Sequence, residues 1–167
     1  MNIEFPVAFN FIMQDDTYLL NTDKSSYHNK IETVPAVETV PVKFNYLGGN
    51  KKKFLIVVRY PDCDFIDNKH FAALENALKR LGFGIDDIAI FNSAKFQEAT
   101  LSELEMFFNP LKMLVLGKKS LPLNSGSMAF NELKQINSRN TLFTFSFDEM
   151  MDNIENKKIF WEKLKQL

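Results

Sequence analysis

The side chains of this chain best suited to chemistry gather in one short stretch, Asp62-Cys63-Asp64 followed by Asp67 and His70. A carboxylate at Asp62 or Asp64 could orient a water molecule and His70 could shuttle a proton, the least that a hydrolase requires. Asn92 closes a later apolar run and joins Asp62, Asp64 and His70 as a candidate catalytic side chain. The same residues have an ordinary reading. Aspartate fills turns and caps helices for backbone reasons, and a lone histidine beside them faces solvent. That reading is the stronger one, because the surrounding sequence lacks the other parts. Gly117-Lys118-Lys119-Ser120 ends as a phosphate-binding loop does, but the first glycine at the required spacing is missing. No G-x-S-x-G elbow occurs. His28 and His70 stand apart and Cys63 is the only cysteine, so neither a metal nor a cofactor is expected.

The elements that must position these groups start from residues 53–60, K-F-L-I-V-V-R-Y. Phe54 to Val58 form an unbroken apolar run containing two valines, the pattern of a strand buried on both faces. Pro61 and Asp62 then turn the chain into a helix capped by Asp67 or Asn68, with Phe71, Leu74, Leu78 and Leu81 along one face and Gly82 at its end. A second strand is expected at residues 85–91. Thr100-Leu101-Ser102-Glu103 is a capping box opening a helix that Pro110 closes. Residues 111–116 read as a third strand, 128–136 as one indistinct element and 141–145 as a fourth strand. Ser146-Phe147-Asp148-Glu149 is a second capping box, from which one final helix carries Phe160, Leu164 and Leu167 inward. Strand–helix alternation of this kind predicts an α/β fold: a three-layer αβα sandwich around a mainly parallel four-stranded sheet. Ligands of such sheets bind beyond the strand ends.

Residues 1–50 differ. Phe5, Phe9, Phe11, Ile12, Tyr18, Leu19 and Leu20 are concentrated at the start without a helical period, and 21–41 is polar, β-branched and proline-bearing. The expected organisation is an N-terminal arm and linker over 1–50, with a short edge strand over 42–47 before Gly48-Gly49-Asn50 turns the chain, and an α/β domain over 51–167. The arm is too apolar to stay free in water, so it is expected to dock on its own sheet edge, a twin chain or another protein. Phe5, Phe9, Phe11, Tyr18 and Leu19 are its candidate partner-binding residues.

At 167 residues the chain suits one well-buried domain, and its net charge of −1 gives no global field to attract nucleic acid or anionic membrane. Lys118 and Lys119 are the one local candidate for nucleic-acid contact. Lys51, Lys52 and Lys53 precede the central strand and so fall at the opposite end of a parallel sheet. The lysines of the final helix, interleaved with Glu155 and Glu162, form a solvated face. A single cysteine, the absence of a basic leader after Met1 and the lack of any apolar run near ~18–20 residues point to a cytoplasmic protein without a membrane span.

From Phe54 onward the chain resembles the uracil-DNA glycosylase superfamily. The resemblance rests on Leu81-Gly82 leading to I-A-I-F-N at Asn92, on P-L-K-M-L-V-L-G, on a strand ending T-F-S-F, and on the closing K-K-I-F-W-E-K-L. It implies that superfamily's sheet, but its chemistry is missing at the decisive places. After the first strand the family has G-Q-D-P-Y or G-E-A-P-G, where this chain has Tyr60-Pro61-Asp62-Cys63-Asp64. The histidine of the family's H-P-S motif is replaced by Thr144. A non-catalytic relative, the psi subunit of bacterial DNA polymerase III, is similar in kind: a glycosylase-like sheet with an N-terminal segment that engages the clamp loader. The resemblance implies a protein-interaction module of the replication machinery, working through its arm on a protein partner or as a homo-oligomer. The alternatives from other classes are a nucleic-acid-processing hydrolase using Asp62, Asp64 and His70, and a structural homodimer.

Overall fold

In a computed structural model of the protein the described residues are 43–126, 128–136 and 139–167. They all lie within the compact unit Pro41–Leu167. The arm residues singled out above, from Phe5 to Leu20, lie outside the described residues.

The apolar run at the centre of the sequence becomes strand β2, Phe54–Val58, and all five of its residues are buried. It sits between two parallel neighbours, β3 (Ile88–Asn92) and β4 (Lys112–Leu116), so its backbone groups are paired on both edges. Beyond β4 lies β6 (Arg139–Thr144), again parallel. These four strands are the expected parallel sheet. The sheet has six strands, however, because each edge carries an antiparallel addition: β1 (Tyr46–Leu47) beside β3, and β5 (Leu133–Ile136) beside β6. β1 falls within the edge strand expected over 42–47, whereas β5 has no apolar run to announce it. β1 is two residues long, and β5 exposes Lys134 and Gln135 as edge strands do. The sheet thus takes in residues ahead of Lys51, and Phe44 is buried among its aromatics.

Alternate side chains of β2 face two separate cores. Phe54, Ile56 and Val58 pack with Leu74 and Leu78 of helix α1 (Asn68–Arg80), and with Phe160 and Leu164 of the last helix. Leu55 and Val57 pack on the other face with Leu104 and Phe108 of helix α2 (Leu101–Phe108). Helices therefore cover both faces. The local signals act as expected: the Asp67 side chain accepts the Lys69 N–H at 2.8 Å and so caps α1. At its other end Gly82 takes φ +76°, while the Gly82 and Phe83 N–H groups return to the Lys79 and Leu78 carbonyls at 3.1 and 3.0 Å. The Thr100–Glu103 box opens α2, with the Thr100 N–H on the glutamate at 2.8 Å and the Glu103 N–H on the threonine hydroxyl at 3.3 Å.

Two boundaries differ from expectation. The second strand begins at Ile88, because Ile85–Asp87 forms a 3-10 turn. The single closing helix is two, α3 (Phe147–Met151) and α4 (Ile154–Leu164), because Asn153 leaves the helical conformation and caps afresh by accepting the Glu155 N–H at 2.8 Å. No helix among the described residues is long and apolar enough to cross a membrane.

Candidate functional site

The strand order β1-β3-β2-β4-β6-β5 sends the chain from β2 toward one edge and from β4 toward the other. The carboxyl ends of β2 and β4 therefore part their connections, which is where open α/β sheets form a binding crevice. A crevice of about 480 Å3 opens there, lined by Arg59 and Tyr60 after β2, Gly117 and Lys119 after β4, and Ser146 and Asp148 after β6. Gly117 is needed at this spot. Its φ is +87°, and a Cβ would stand 2.9 Å from the Ser146 Cβ.

Three backbone donors at the strand ends are engaged within the protein. The Tyr60 N–H donates to Asn92 Oδ1 at 2.9 Å, the Gly117 N–H to the Thr144 carbonyl at 2.9 Å, and the Ser146 N–H to Glu149 Oε2 at 2.8 Å. A phosphate cradle or an oxyanion hole needs such groups aimed at a ligand. Here these three are turned back on the protein.

Asn92 has a definite place. It is buried at the end of β3, and its amide nitrogen donates to the carbonyls of Tyr60, Cys63 and Asp64 at 2.7, 3.0 and 3.2 Å. Its oxygen also accepts the Ala94 N–H at 3.1 Å. One side chain thus pins the loop after β2 to the neighbouring strand. The loop's own carboxylates stay outside this arrangement: Asp62 and Asp64 are exposed and do not line the crevice. Cys63 is a free, half-buried thiol. Thr144, at the position of the family histidine, is buried and donates its hydroxyl to Asn131 Oδ1 at 2.7 Å.

His70 meets partners other than those expected. Its Nδ1 lies 2.8 Å from the Tyr60 hydroxyl, its Nε2 lies 3.7 Å from Asp148 Oδ1, and its ring stacks on Phe147 with centroids 5.4 Å apart. With Tyr60 donating to Nδ1, the remaining ring proton sits on Nε2 and faces the carboxylate. No hydrogen bond or ion pair joins His70 to Asp62 or Asp64 among the described residues. Burial, followed by the carboxylates of Asp148 and Asp67 and then Cys63, raises the Tyr60 phenol well above its ordinary value of 10.0. The hydroxyl is therefore a donor at neutral pH. Asp148 was missed as a site residue, and its only sequence signal is its place in the Ser146–Glu149 capping box.

Lys118 and Lys119 fall in the 3-10 turn Lys118–Ser120 and are exposed. Lys118 Nζ stands 5.3 Å above the Phe130 ring. As expected, Lys51 and Lys52 lie at the amino end of the parallel strands, where they pair with Asp86 and Asp87 at 2.8 and 3.0 Å. No group of three or more histidine, cysteine or acidic residues among the described residues could hold a metal ion. No protein-family model matches the chain, and comparison with curated proteins yields no match.

The Asn92 tie predicts that Asn92→Ala loses about 2–3 kcal/mol in urea unfolding, since buried carbonyls are left without a donor. Asn92→Asp should lose more, because it sets a charge against three carbonyl oxygens; an Asn92→Asp variant as stable as the wild type would remove the clamp from this account. Tyr60 gives a pH prediction. Its folded-state value is raised, so the unfolded chain ionises first above about pH 10 while the folded chain holds the proton, and stability from this group falls as pH climbs. Tyr60→Phe should be less stable than wild type at neutral pH, by about 1 kcal/mol for the lost hydrogen bond. The gap should narrow at about pH 11. A gap that widens there would contradict the assignment.

Proposed function

We propose that this chain is a non-catalytic protein-interaction module on a degenerate uracil-DNA glycosylase-like, three-layer αβα fold, of the kind of the DNA polymerase III psi accessory subunit. The observation that carries this reading is the commitment of the strand-end donors: the N–H groups of Tyr60, Gly117 and Ser146 are all paired within the protein. The Asn92 amide and the Thr144 hydroxyl are likewise occupied internally. An exposed apolar surface at the end of α2, made by Met106, Phe107 and Leu111, is in keeping with a protein that works by contact. In this proposal the arm residues Phe5, Phe9, Phe11, Tyr18 and Leu19 bind the partner, and the setting is DNA replication.

The hydrolase reading is favoured by one observation, the Tyr60–His70–Asp148 alignment, which gives His70 a carboxylate and a hydroxyl partner. It would use Asp148 rather than Asp62 or Asp64 beside the histidine.

Affinity purification with the full chain and with a chain lacking residues 1–22 tests the module. The full chain should retain a partner that the shortened one loses, while both unfold at the same temperature. A shortened chain that unfolds at a much lower temperature with its assembly unchanged would make the arm part of the core and remove the proposal's support. No uracil should be released from single-stranded or duplex DNA; release abolished by Asp148→Asn or His70→Ala would restore the enzyme.

A further inference from the structure

We propose that the strand-end crevice is a docking site for a short acidic peptide segment of a protein partner, with carboxylates on Arg59 and Lys119 and an apolar side chain against Tyr60 and Pro61. This rests on the interaction-module reading and adds to it a second contact, on the α/β unit. The charges of the crevice are separated by strand. Arg59 follows β2, Lys118 and Lys119 follow β4, and the acidic pair Asp148 and Glu149 follows β6.

Each acid has a partner within the protein. Glu149 accepts the Ser146 N–H and hydroxyl at 2.8 and 3.1 Å, and Asp148 faces His70 at 3.7 Å. None of Arg59, Lys118 and Lys119 forms an ion pair among the described residues. Lys118 lies on Phe130, and half-buried Arg59 and exposed Lys119 are the other cations lining the crevice. Guanidinium and ammonium groups of this kind bind carboxylates by charge-assisted hydrogen bonds without needing a fixed backbone cradle.

A nucleic-acid strand fits the same crevice poorly. Its continuous charge would run past Asp148 and Glu149. Base stacking also needs a free aromatic face, and one of the two rings present, Phe147, is buried against His70. A peptide can set one or two carboxylates at the β2 and β4 ends and leave the acidic end uncontacted.

Fluorescence anisotropy on the full chain at low salt tests this. The probes are a short labelled peptide of alternating leucine and aspartate, its leucine–asparagine counterpart, and a labelled oligothymidylate. The acidic peptide should bind with a dissociation constant on the order of tens of micromolar, as a small open crevice allows. The asparagine peptide should bind at least about tenfold more weakly, as should the acidic peptide to an Arg59→Gln, Lys119→Gln double variant, which keeps part of both aliphatic stems. Lys134→Ala with Lys158→Ala, two exposed lysines elsewhere, should change nothing beyond twofold and so controls for net charge. The proposal is overturned if the acidic peptide does not bind, if the two peptides bind alike, or if the Arg59, Lys119 variant binds as the wild type does. Tighter binding of oligothymidylate through the same two residues also overturns it, in favour of a nucleic-acid site. Loss of the crevice contact with retention of partner capture through residues 1–22 would leave the module reading intact, so the two failures are distinguishable.

Discussion

Burial of β2 on both faces is the constraint from which the rest of this architecture follows. Phe54–Val58 has no polar side chain, so it cannot lie on an open sheet edge or a one-sided sheet. Its backbone is satisfied by β3 on one side and β4 on the other, and its side chains by α1 and the last helix on one face and α2 on the other. A strand so placed has neighbours whose connections must leave in opposite directions. The crevice at its carboxyl end is the result, present whether or not it binds anything. Architecture accounts for the location of the candidate site. Its chemistry is a separate matter, set by a few side chains beyond the strand ends.

Much of the frame was legible because its signals are local. Asp67 and Gly82 bound α1 through bonds two to five residues long, and the Thr100–Glu103 and Ser146–Glu149 boxes each close within three residues. Such contacts are written in neighbouring letters. β1 lies within the edge strand expected over 42–47, but β5 was not legible, since a strand that shows one edge to water needs no apolar run: Leu133–Ile136 sets exposed Lys134 and Gln135 between two half-buried residues. The division of the last helix at Asn153 had a signal, an asparagine two residues before a glutamate, but it stands inside a longer stretch of helix-forming residues. Propensity across the stretch masks a cap within it.

The candidate site was less legible, for a physical reason. Asn92 reaches its three carbonyl partners across 32, 29 and 28 residues, so no spacing rule reveals them. His70 was singled out, but its partners come from three places in the chain: Tyr60 at a strand end, Phe147 and Asp148 at the start of α3. Proximity to Asp62 and Asp64 in sequence suggested a cluster that the loop does not make. A loop pinned through its carbonyls directs its side chains by the pinning, and here Asp62 and Asp64 stay exposed.

The same pinning limits what the crevice can recognise. A site that binds by fixed geometry needs unpaired donors held rigidly before the ligand arrives, and the strand-end N–H groups of Tyr60, Gly117 and Ser146 are instead paired at 2.8–2.9 Å. Freeing any of them would orphan an acceptor inside the protein, a cost that a ligand must first offset. Long cationic side chains lining the crevice need no such exchange. In the interaction-module reading, recognition there runs on charge and reach, which tolerates variation in the bound segment and weakens as salt rises.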